Sequence, residues 1–160
     1  MDAVRGRAPG QAETRLALLL RARARRCALP IEDVVETLRP LPLTEVPAAP
    51  PYLRGLSVIR GAPVPVLDLG ALLGDPPSEA ATRFVVLRLG ERRAALAVEE
   101  VLGLREISAR EQHELPPLLQ DAGELISRVA ARDSELFAVL ATARLVPDSV
   151  WRTLPASNAE

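Results

Sequence analysis

A chain of 160 residues that is 48% apolar is long enough for one domain, or for two small β units sharing a core, and too apolar to be disordered. Its basic residues are all Arg and nearly balance the acids, leaving a net charge of −1 and no field suited to a polyanion; one Cys and one His exclude a disulfide framework and a Cys/His zinc site. No apolar run approaches the roughly 18 residues of a membrane span, and the amino-terminal stretch lacks a signal peptide's apolar region, so a soluble cytoplasmic protein is expected.

In chain order, residues 1–13 read as a flexible tail, followed by a domain over 14–152 and a second tail over 153–160. Short apolar or alternating runs at 16–20, 27–31, 34–38, 56–59, 64–69, 83–89, 94–98, 101–107, 125–131 and 136–141 predict strands. Their number and tight spacing argue for a mainly β barrel or sandwich. Residues 40–51 carry Pro40, Pro42, Pro47, Pro50 and Pro51 and must be a loop or polyproline-like connection. A helical turn is expected over 69–73, and a short terminal helix over 146–152 with Pro147 near its first turn. Aromatics are only 2%, so Leu, Val, Ile and Ala must build the core.

The segment LLLRARARRCALPIEDVV (18–35) recurs as VVLRLGERRAALAVEEVL (85–102), offset by 67 residues. Identical pairs include Leu20/Leu87, Arg21/Arg88, Ala28/Ala95, Leu29/Leu96, Glu32/Glu99 and Val34/Val101. Further on, Val66-Leu67 is echoed by Val139-Leu140. Two repeat units, near 16–80 and 83–146, are therefore expected to pack on a shared apolar interface, since a lone β unit of that size is marginal.

Within RGLSVIRGAPVPVLDLGALLG (54–74), Gly61-Ala62 suits a two-residue type II′ hairpin, which needs positive φ at its first central residue. That puts Arg60 at the hairpin mouth, held out by a stiff backbone where a guanidinium can dock a carboxylate or carbonyls. Pro63 and Pro65 lose their N–H groups on one side of the strand, which marks a protected edge strand.

No constellation for catalysis is present. His113 lies in a polar loop, Cys27 sits in an apolar run that suits core packing, and Glu32-Asp33 and Glu99-Glu100 fit turns or caps. There is no phosphate-binding loop, dinucleotide fingerprint or metal-ligand cluster, so no cofactor is expected and the chain reads as a binding module. The Arg21–Arg26 segment reads as a solvated hairpin tip; the competing function is an SH3-like module binding nucleic acid or anionic lipid through it.

Gly55-Leu-Ser-Val-Ile-Arg-Gly61 followed by Val64-Pro-Val-Leu-Asp-Leu69 resembles the signature of CheW-like domains, as do Ala28-Leu-Pro-Ile31 with Val34-Val-Glu36 and Leu96-Ala-Val-Glu-Glu-Val101. The resemblance covers about residues 15–152. It implies two intertwined five-stranded SH3-like β barrels on a common core, and a non-enzymatic cytoplasmic adaptor of bacterial chemosensory arrays. Such an adaptor couples the cytoplasmic tips of chemoreceptors (methyl-accepting chemotaxis proteins) to a CheA-type histidine kinase through that kinase's regulatory domain. Receptor docking in the groove between subdomains is implied for Val34, Glu36, Gly55, Arg60, Val101 and Leu104, with the kinase on the opposite side of the first barrel. The sequence departs from the family pattern at Val58, where Asn is frequent, at Glu99, where Asp is usual, and in the arginine-rich first hairpin turn. A divergent scaffold in a pathway other than chemotaxis would carry the same residues.

Overall fold

The computed structural model describes residues 13–117 and 125–153, so the two expected tails lie outside the described residues except for Glu13 and Thr153. All ten expected runs form strands: β1 Thr14–Ala22, β2 Arg25–Pro30, β3 Val34–Leu38, β4 Leu53–Ile59, β5 Ala62–Asp68, β6 Arg83–Leu89, β7 Arg92–Val98, β8 Glu100–Ser108, β10 Ile126–Arg132 and β11 Glu135–Leu140. A further two-residue strand, β9 Gln112–His113, pairs with β10, so His113 is an exposed strand residue and not part of a loop. The helical pieces are short: α1 Leu69–Leu72 and α2 Asp148–Thr153.

The strands make two sheets, ordered β8-β1-β2-β11-β10-β9 and β3-β6-β7-β5-β4, the two SH3-like barrels of a mainly β protein. Repeat units and sheets do not coincide. Each sheet takes its first hairpin from one unit and its later strands from the other, so β1–β2 pair with β8 and β11 while β6–β7 pair with β3 and β5. The register obeys the repeat: Ala28 faces Val139 across a parallel pair as Ala95 faces Val66, and Val34 faces Leu87 as Val101 faces Leu20. Both first-edge strands carry the same bulge, at Val35 in β3 and Leu102 in β8.

This exchange explains why β1, β2, β6 and β7 read as continuous apolar runs. Strand side chains alternate between faces, and here both faces are buried. Leu18, Leu20, Cys27 and Leu29 point with Val85, Leu87, Leu96 and Val98 into one core shared by the sheets. Their neighbours in sequence fill the two barrels separately: Ala17, Leu19 and Ala28 surround Phe137 in one, and Val86, Ala95 and Ala97 surround Phe84 in the other. Val150 of α2 is fully buried in the shared core, which fixes the carboxy-terminal helix against both halves.

Two expectations about the second hairpin are corrected. Its register pairs Ile59 with Ala62, so the turn residues are Arg60 and Gly61, with φ of 53° and 82°, a type I′ turn one residue earlier than expected. The reason is Pro63. Residues flanking a two-residue turn exchange hydrogen bonds, and a Gly61-Ala62 turn would have required an N–H from Pro63. Nor is β5 an edge strand, because it lies between β7 and β4. Its pairing with β7 engages only Val66, Leu67 and Asp68, however, so Pro63 and Pro65 turn their missing donors toward a side with no ladder to break.

Candidate docking surface

Val34 and Val101 begin the two bulged strands and occupy equivalent positions on opposite sheets. Both are half-buried and pack against the shared core, so the structure brings them to the junction of the barrels from either side. Beyond Val101, β8 leaves Leu102 and Leu104 exposed, with Leu104 59% accessible, and Leu16 on the neighbouring β1 is exposed as well. Together they form an apolar strip on a sheet edge.

Glu36 on β3 and Arg60 in the β4–β5 turn meet directly. Arg60 Nε donates to Glu36 Oε2 at 3.0 Å and Nη2 to Oε1 at 2.5 Å, a two-pronged pair in which the guanidinium stays largely exposed. The Arg60 hydrogen bond holds the Glu36 carboxyl below its ordinary range and raises Arg60 in turn. Since β3 and β4 are the two ends of their sheet, this pair spans the gap where the barrel closes. Arg60 is thus pre-aimed by a carboxylate of its own chain, a partner that sequence reasoning placed on the same surface without pairing the two. Val58, one of the departures from the family pattern, projects from the same edge strand and is exposed.

Gly55 differs from the rest of the predicted set. It is buried, with φ of 141°, and a Cβ there would lie 2.5 Å from the Thr44 carbonyl oxygen. The backbone of Thr44 pairs with Leu56 through two 2.8 Å hydrogen bonds, and Ser57 Oγ donates to the Pro42 carbonyl. Gly55 therefore lets the proline-rich connection lie down on β4 and shapes the surface from beneath.

A buried ionic cluster was not foreseen. Arg23, at φ 58° in the β1–β2 turn, donates from Nη1 to Glu99 at 2.8 Å, and from Nη2 to Asp68 at 2.7 Å and the Pro76 carbonyl at 2.8 Å; its backbone N–H donates to Glu99 at 2.8 Å. The Arg23 side chain is 18% exposed and that of Asp68 only 2%. Asp68 also accepts from the N–H groups of Ser78 and Ala71, the second being the amino-terminal cap of α1. Burial opposes the charged form of Asp68, but these donors outweigh it and its pKa is lowered; the Asp68 hydrogen bond likewise raises Arg23. The signal in the sequence was a non-glycine residue at the turn position where the second repeat has Gly90.

The neighbouring arginines are engaged too. Arg21 pairs with Glu100 at 3.1 Å, Arg25 with Asp75 at 3.1 Å and Arg26 with Glu135 at 2.9 Å, which neutralises the Arg21–Arg26 segment as a polyanion patch. Burial pushes the Cys27 thiol up to about 12, which makes it an inert core group at neutral pH. Glu99 caps a turn other than its own, accepting from the Arg23 N–H in the distant β1–β2 turn.

The family model described as "CheW-like domain" matches residues 16–150. Protein FrzA of Myxococcus xanthus is 38% identical over 96 residues, 59% of either chain. The chemotaxis protein CheW of Helicobacter pylori is 24% identical over 115 residues, covering 71% of this chain and 70% of that protein. That of Rhizobium meliloti is 32% identical over 82 residues, half of this chain and 53% of its own length. Among solved structures, the scaffolding protein TtCheW from Thermoanaerobacter tengcongensis has the same fold, with a TM-score of 0.74 at 20% identity over 83% of this chain and 92% of that one. Among the described residues no helix is long and apolar enough to cross a membrane.

Proposed function

The chain belongs to the CheW-like domain family, and from that premise we propose that it is a cytoplasmic, non-enzymatic adaptor of a chemosensory array. Its partners are the cytoplasmic tip of a chemoreceptor and the regulatory domain of a CheA-type histidine kinase. The family match across both barrels carries this reading, and the names of similar proteins, chemotaxis and scaffolding proteins among them, support it. The receptor tip docks at the barrel junction, on Val34, Val101 and Leu104, with the Glu36–Arg60 pair at its rim and Gly55 beneath. Apolar anchors beside an ordered charged pair are what a helical hairpin with an apolar stripe and polar flanks would meet. The polyanion-binding alternative loses its basis with the pairing of Arg21, Arg25 and Arg26.

The test is a titration of a receptor-tip fragment, and separately of the kinase regulatory domain, from the same genome. Arg60→Glu should weaken receptor binding about tenfold or more with only a small fall in melting temperature, because Arg60 is 68% exposed while the Glu36 carboxylate it leaves unpaired is 20% exposed. A Glu36→Arg/Arg60→Glu swap restores the pair with reversed polarity. Recovery of binding would assign the pair a purely shaping role, and continued loss would assign Arg60 a direct contact. Wild-type protein that binds neither partner would refute the adaptor reading.

A further inference from the structure

The repeat supplies an internal control for the β1–β2 turn. Its counterpart, the β6–β7 turn, has Gly90 at φ 68° where Arg23 stands at φ 58°. Left-handed backbone suits glycine and strains other residues, so a plain turn would favour glycine at both positions. Arg23 occupies the strained position, and its side chain leaves its own sheet. It reaches Asp68 at the end of β5, in the other sheet, and Glu99 in the link where the chain passes from β7 to β8, from one sheet to the other. From the same hairpin, Arg25 donates to the Leu73 carbonyl at 3.0 Å, just past α1. Gly70 of α1 completes the fit, since a Cβ there would lie 2.6 Å from the Arg23 guanidinium. At the opposite junction Ala141 holds the place of Asp68 and no arginine at the turn position spans the cleft between Gly90 and the segment from Thr142 to Trp151; that segment is held instead by the Thr142 hydroxyl, which donates to Asp33, and by Arg92 stacked over the Trp151 ring.

We propose that Arg23 is a positioning residue that ties the two barrels together at one junction, fixing their relative orientation and the point where β8 enters its sheet. Glu99 lies two residues before Val101 and its N–H donates to the Arg21 carbonyl at 3.0 Å, so whatever holds Glu99 sets where Val101 and Leu104 stand relative to Val34. Its consequence for binding rests on the docking surface proposed above; the tie itself does not.

Arg23→Gly decides between a turn residue and a tie. If Arg23 only makes a turn, glycine relieves the backbone and the melting temperature holds or rises. If it ties the barrels, the melting temperature falls by about 5–10 °C despite the better backbone. NMR residual dipolar couplings then give the orientation. Alignment tensors fitted separately to the two sheets coincide in the wild-type arrangement and should no longer do so in the variant. Unchanged couplings, or a stabilised Arg23→Gly protein, overturn the proposal. Should Arg23→Gly not fold, Arg23→Lys carries the same test, because an ammonium keeps the charge but lacks the planar fork that reaches both carboxylates. A changed orientation with undiminished receptor-tip binding would sustain the tie and count against the docking surface, so the two readings fail separately.

Discussion

At the tip of the β1–β2 hairpin Arg23 reaches across to the other sheet; at the tip of the β6–β7 hairpin the equivalent residue is Gly90, which has no side chain to do so. Backbone pairing around the two tips matches down to the same bulge and the same cross-strand partners. The difference lies in a few side chains: Arg23 against Gly90, Asp68 against Ala141, and a Glu99 side chain only 9% exposed against an exposed Glu32 that pairs with Arg15 at 3.3 Å. Duplication therefore supplies a symmetric scaffold, and polar substitutions make its two junctions unequal. The adaptor role proposed above, with two different partners, would use such inequality, and side chains supply it without altering the sheets.

The strongest way to break the contrast is Asp68→Ala. It removes a carboxylate that is almost fully buried, strips the cap from α1 and leaves Arg23 with one carboxylate. A loss of about 2–4 kcal/mol in chemical denaturation is expected, at or below the ~3–5 kcal/mol of a fully buried pair because the guanidinium is partly solvated. Acid acts on the same group. The folded state holds Asp68 below the ordinary aspartate value, so its contribution is complete above about pH 4 and is lost as pH falls through the lower, folded value. Urea midpoints measured downward from pH 5 should fall less steeply in Asp68→Asn than in the wild type.

Gly70→Ala follows in size. Alanine is the better helix former, yet its Cβ would displace the pinned guanidinium, so a loss of about 1–2 kcal/mol is expected. In an Arg23→Gly background the same substitution should turn neutral or stabilising, which identifies the clash. The smallest effect belongs to Gly90→Arg. Its Cβ meets nothing within 4 Å and Ala141 stands in the place of Asp68, so a left-handed backbone cost of about 1 kcal/mol is expected, offset in part by Asp33 and Asp148, which line the same cleft. If Gly90→Arg stabilised the protein, the two junctions would be less different than their side chains indicate.

The strands and the duplication were legible because periodicity and repeated blocks are local records of burial. That the barrels intertwine follows from the resemblance, but which hairpins they exchange does not, since a repeat in sequence does not say which copy its strands will join. The type I′ turn at Arg60-Gly61 was readable in principle, because Pro63 cannot donate the hydrogen bond that closes the alternative turn. Glu36 and Arg60 were singled out through resemblance, but their pairing depends on how the barrel closes. The Arg23 cluster joins groups 45 and 76 residues apart, and an arginine-rich turn by itself reads as solvated surface. Only the comparison with Gly90 marks Arg23 as unusual.

The most direct measurement is a double-mutant cycle between Arg23 and Asp68, read as unfolding free energies of the wild type, Arg23→Gly, Asp68→Ala and the double variant. A tie across the junction predicts that the second substitution costs little once the first is made, with a coupling of about 2 kcal/mol. Additive losses, with no coupling, would contradict it and leave the two junctions equivalent in energy as well as in backbone.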